Sequence, residues 1–212
     1  MRLQTQLVIC LLLVLAACSS ADKNKMSNIG NTFAVEAVPP SDDAFNKQPA
    51  ASILNFLRWY RAHIQELKKI EIVTHSTNPD SAKYYVVNTA GTERYLNELK
   101  KSGFVSDKYI DRWRAYFNMV SEKLKKTPQT EAPVTGLDFD FVMLSKDCEE
   151  DLKRIEKSTV DHQKIANDEG SITIGLPTVG RLRYWIEKQE DGKWAIVDIK
   201  DLRSALDQAQ ND

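Results

Sequence analysis

Histidine and cysteine are both scarce, with three of each in 212 residues. His63, His75 and His162 show no HExxH-type spacing, so there is no zinc motif to read. Cys10, Cys18 and Cys148 are too few for a disulfide framework, and the fold must be held by its core. Glycine is thin as well, at eight residues, and no glycine-rich phosphate loop, GxSxG elbow or Cys–His signature occurs. No apolar run reaches the about 20 residues that a bilayer-spanning helix needs. Charge of one sign is not in excess either. Lys plus Arg is 29 and Asp plus Glu is 30, a net charge of −1 that argues against a nucleic-acid partner. Internal repeats and sustained heptads are missing, which removes solenoids and coiled coils.

What is present is the composition of a folded chain: 42% hydrophobic, 28% charged, and long enough for one ordinary domain. Arg2 precedes an unbroken apolar run from Leu7 to Ala17, too short to span a membrane but right for the core of a signal peptide. Leu15-Ala16-Ala17-Cys18 resembles the lipobox of bacterial lipoproteins. That resemblance implies cleavage before Cys18, a diacylated Cys18 thiol and attachment to a membrane. Each buried methylene contributes about 0.8 kcal/mol, so two or three acyl chains make release negligible. By the same resemblance Ser19, standing where Asp would retain the chain at the inner membrane, favours the outer membrane of the cell envelope. An ordinary signal peptide with a chance cysteine is the alternative. Cys148 is then the one remaining thiol, expected to be partly buried and unreactive.

Residues 1–17 are thus expected to be a signal peptide, 18–48 a flexible tether rich in Ser, Asn, Asp and Lys, and 49–207 a single domain. A first helix is predicted over 49–70, with Pro49 in its first turn and a stripe of Ile53, Phe56, Leu57, Tyr60, Ile64 and Leu67. Asn78-Pro79 breaks the pattern, and Tyr84–Val87 is a short β-prone stretch. A second helix is predicted over 92–101, capped by Thr92 and ended by Gly103. A third starts at the N-cap Ser106 and carries Tyr109, Ile110, Trp113, Tyr116, Phe117, Val120 and Leu124 until Thr127-Pro128. Core packing is the preferred reading of that aromatic stripe. The basic pairs Lys68-Lys69, Lys100-Lys101 and Lys125-Lys126 sit at helix ends, where they complement the dipole.

Beyond Gln129 the period shortens. Strands are predicted over 171–176, 181–189 and 193–200, the last two joined by a tight hairpin at Glu190-Asp191-Gly192. Residues 152–166 offer another strand, with Asp151–Glu156 open to a helical turn. Helices early and hairpin-linked strands late predict an α+β fold, with N-terminal helices packed on a C-terminal antiparallel sheet.

Two stretches carry a resemblance. Leu137-Asp138-Phe139-Asp140-Phe141-Val142, with Asp147 beyond it, and Gly192-Lys193-Trp194-Ala195-Ile196-Val197-Asp198-Ile199 are similar to the motifs of the bacterial domain-of-unknown-function family 3828. The resemblance implies an exported protein with a nuclear transport factor two-like (cystatin-like) cone of helices on a curved sheet, and it implies no known activity. Phe141 stands in place of the family's Pro, Lys146 of its Gln, and Val197 of the first Asp of its late pair.

Asp138, Asp140, Asp147 and Asp198 are the candidate ligand-binding residues. An extended Asp138-Phe139-Asp140-Phe141 puts both acids on one face and both rings on the other. Carboxylates about 7 Å apart suit a hard cation or an acid–base pair, and equally suit turn capping and pairing with Lys or Arg while the rings anchor the segment. Asp198, between Val197 and Ile199, is expected to share a face with Trp194 and Ile196, where a buried carboxylate needs a partner. No catalytic residue, metal or cofactor is read. The expected function is a lipid-anchored, non-catalytic module that binds a small ligand or an envelope protein in the hollow of the sheet. The alternative is an envelope hydrolase using aspartates in that hollow.

Overall fold

The computed structural model describes residues 48–77, 83–178 and 180–202. The expected signal peptide, Cys18 and the expected tether up to residue 47 lie outside the described residues, as does Asn78-Pro79. All the described residues belong to one compact unit of the chain.

Helix α1 (Pro49–Leu67) begins at the proline, whose missing N–H is one the first turn leaves unpaired anyway. All six residues of its expected stripe are buried. So are Ser52, Asn55 and Arg58, because α1 is enclosed on more than one side. Ser52 Oγ donates to the Trp194 carbonyl at 2.6 Å, tying α1 to the sheet. Opposite, Arg58 reaches Glu156 in a 3₁₀ turn (Ile155–Lys157) that follows the short helix α4 (Glu149–Lys153).

Strands β1 (Val73–His75) and β2 (Tyr85–Val87) form a small antiparallel pair. Helix α2 (Thr89–Lys101) starts three residues before the predicted site. Its cap is Asn88, whose Oδ1 accepts from Gly91 N at 3.0 Å, whereas Thr92 lies buried inside the helix. Gly91 makes the earlier start possible. A Cβ there would stand 2.0 Å from the Glu71 carbonyl oxygen, which instead accepts from Asn88 Nδ2 at 2.8 Å. Helix α3 (Asp107–Lys126) keeps the expected Ser106 cap and buries Tyr109, Ile110, Phe117, Val120 and Leu124.

Strands β3 (Thr159–Ala166), β4 (Glu169–Gly175), β5 (Arg181–Lys188) and β6 (Trp194–Asp201) form one antiparallel sheet in the order β3-β4-β5-β6. The β5–β6 hairpin turns as predicted, with Gly192 at φ +82° and the Gln189 N–H donating to the Lys193 carbonyl at 2.7 Å. The β3–β4 turn uses Asn167 at φ +56°, a conformation asparagine tolerates better than most side chains. One sheet face buries Ile172, Ile174, Leu182, Tyr184, Ile186, Ile196 and Ile199, and α1 and α3 pack over β6. This is an α+β architecture. The inner sheet face, expected to be a hollow for ligand, is filled by the protein's own side chains.

Bulges interrupt β3 after Val160 and β6 at Val197. The second changes the expected position of Asp198. The extra residue reverses the alternation, so Ile196 lies opposite Ile186 on the inner face while Asp198 lies opposite Trp185 on the outer one. Asp198 therefore does not share a face with Ile196.

Candidate functional site

A cleft of about 300 Å³ lies between the C-terminal part of α1, Ile70–Ile72, Tyr95 of α2 and the segment 137–148. Both Asp138 and Asp140 border it, and Asp140 shapes the segment. The backbone N–H of Asp140 donates to the Ser145 carbonyl at 2.9 Å, and its carbonyl accepts from Leu144 N at 2.7 Å. Within that loop Asp140 Oδ1 accepts from the N–H groups of Val142 at 3.0 Å and Met143 at 2.8 Å. This is a side-chain cap on a turn, the role aspartate plays at helix starts.

The other carboxylate oxygen faces α1. Tyr60 donates its hydroxyl to Asp140 Oδ2 at 2.6 Å. Tyr95, from α2, lies beside Tyr60 at the same cleft. The buried Cys148 thiol lies near enough to Asp140 to feel its charge. Three donors thus meet a carboxylate with about four lone-pair sites, and all three are uncharged. Burial raises the Tyr60 and Tyr95 phenols, with the Asp140 charge adding to both. Burial first, then the charge and hydrogen bond of Asp140, push the Cys148 thiol up to about 12. At neutral pH all three remain protonated.

Asp138 has a different partner. Lys146 pairs with it and holds its carboxyl below the usual range. The Asp138–Phe141 stretch is not a strand, but its two acids do border one cleft while its rings pack on α3. Phe141 meets Phe117 edge-on at 5.1 Å and Trp113 at 5.2 Å, and Phe139 sits 5.1 Å from Phe141. Turn capping and lysine pairing by the aspartates, with the rings as anchors, is the arrangement found.

The remaining candidates are elsewhere. Asp147 is exposed and does not border the cleft, although Lys146 and Cys148 beside it do. Asp198, on the outer sheet face, pairs with Arg112 of α3. The three histidines lie on α1, β1 and β3, apart from the cleft lining. Among the described residues no group of three or more His, Cys, Asp or Glu is disposed to hold a metal. Tyr60, Tyr95 and Lys68 belong to the cleft although the sequence marks the tyrosines only as core stripe and Lys68 only as a helix end. Nothing in spacing pairs Tyr60 with a residue eighty positions away.

A nucleophilic thiolate needs a lowered pKa, and that of Cys148 is raised. No family model, curated protein or solved structure matches the chain.

Proposed function

We propose that this chain is a lipid-anchored protein of the cell envelope whose domain is a non-catalytic binding module, holding a small ligand in the cleft over Tyr60 and Asp140. The observation that carries the reading is the carboxylate of Asp140 at the cleft, held by three neutral donors. Those bonds fix the wall of the cleft. The neighbouring Asp138 pairs with the exposed Lys146. A volume near 300 Å³ is at the lower end of the range for ligand sites, about 300–1,000 Å³.

Attachment through Cys18, by preference at the outer membrane, rests on Leu15-Ala16-Ala17-Cys18 and on Ser19. Within the fold, a nuclear transport factor two-like or cystatin-like cone is supported by helices packed on one face of an antiparallel sheet whose bulged strands bend. The likeness to family 3828 rests on the motifs at 137–142 and 192–199. The binding site is placed on the helical side of the core, since the inner sheet face is full.

The test is a fragment screen by protein-observed NMR on the intact chain. Binding should move the amides of Val142 and Met143, and Ile70→Trp, which fills the cleft, should abolish the shifts. Absence of cleft binders, or turnover of a bound fragment, contradicts the proposal.

A further inference from the structure

The floor and the rim of the cleft carry different kinds of charge. At the floor, the Asp140 carboxylate is locked by neutral donors, and among the described residues no cation pairs with it. At the rim, the cations Lys68 and Lys146 are held only loosely. Their side chains are 48% and 66% exposed, in ion pairs with Glu149 and Asp138 that rearrange at little cost in water. The preorganised part of the field is therefore negative, and only the adjustable part is positive. Aromatic rings strengthen that sign. Tyr60, Tyr95, Phe139 and Phe141 border the cleft, and the faces of such rings attract cations.

We infer that the ligand of this cleft is a cationic amphiphile: an ammonium or guanidinium group on a small apolar body. The cation lies over the Tyr60–Asp140 pair, and Lys146 swings away to release Asp138 as a second contact. The apolar body packs against Leu67, Ile70 and Ile72. Selection for a cation then comes from groups that need not move, which is where binding is least opposed by ordering. The inference rests on the cleft being a binding site.

Three probes with one apolar body and different charge test it: phenethylamine, phenethyl alcohol and hydrocinnamate, titrated into the intact chain while the Val142 and Met143 amides are followed by NMR. The amine should bind about tenfold tighter than the alcohol, equivalent to about 1.4 kcal/mol, and hydrocinnamate weakest. Lys68→Gln and Lys146→Gln, both at exposed positions, should tighten the amine further and leave the alcohol unchanged. Equal or stronger binding of the alcohol or the carboxylate overturns the charge assignment and leaves the binding module standing. Failure of all three probes to reach the cleft overturns both.

Discussion

Tyr60 and Asp140, eighty residues apart in the chain, meet through a 2.6 Å hydrogen bond that fastens the 137–148 segment to the central helix. Tyr184, by contrast, is fully buried with no hydrogen-bond partner for its hydroxyl. The same Tyr→Phe change should therefore act oppositely at the two sites. Tyr60→Phe removes a bond to a charged acceptor and should cost about 1.5–3 kcal/mol, whereas Tyr184→Phe should be neutral or stabilising by up to about 1 kcal/mol. Urea unfolding of both variants checks this, and equal losses would contradict it.

Asp138 and Asp140 differ as sharply, two residues apart. Asp140→Ala strips the cap from Val142 and Met143 and frees Tyr60, and should cost about 3 kcal/mol or more. Asp138→Ala loses one pair with an exposed lysine and should leave the melting temperature almost unmoved. Thermal melts decide it; a large effect at Asp138 would mean that its pair with Lys146 is worth far more than an exposed ion pair.

Glu156 is shared by Arg58 at 2.9 Å and Arg61 at 3.0 Å. Arg58 is buried and also donates to Asn55, so removing Glu156 leaves it a charge without a counter-ion. Loss of one partner of a buried pair costs about 3–5 kcal/mol, and the partial exposure of Glu156 reduces the expectation for Glu156→Ala to about 2–3 kcal/mol. Adding Arg58→Met should recover a good part of that. A double mutant as unstable as the sum of the singles contradicts the coupling.

The Cys148 thiol gives a pH dependence of definite sign. Its folded pKa, about 12, lies above the ordinary 9.0, so the protonated form is the one the fold favours. The stability it contributes is complete below about pH 9 and declines as the pH rises towards about 12. The raised Tyr60 and Tyr95 phenols work in the same alkaline direction. Unfolding free energies measured from neutral to alkaline pH should fall over that window, and less steeply in Cys148→Ala. A profile of Cys148→Ala identical to that of the unchanged chain contradicts this contribution.

Much of the fold is legible in the sequence because its signals are local. The α1 stripe, the Ser106 cap, the Asp191-Gly192 hairpin and the alternation of Leu182, Tyr184 and Ile186 all fix structure within a few residues. The start of α2 is not, because the decisive contact, Gly91 under the Glu71 carbonyl, is tertiary. The face of Asp198 is hidden too, because a single bulged residue, Val197, inverts a period of two and leaves no composition signal. At the site, the alternating aspartates and phenylalanines point to the right segment. Tyr60, which meets Asp140, and Tyr95 beside it come from α1 and α2, where they read only as apolar stripe. A hydrogen bond between distant elements is invisible until the core is packed.

Native mass spectrometry of the chain isolated from its own cell envelope tests the anchored binding module most directly. The expected spectrum shows a polypeptide starting at an acylated Cys18 and carrying a small-molecule adduct that Ile70→Trp removes. A chain that retains Met1, or one whose Cys18 is bare and whose mass shows no adduct sensitive to Ile70→Trp, would contradict it.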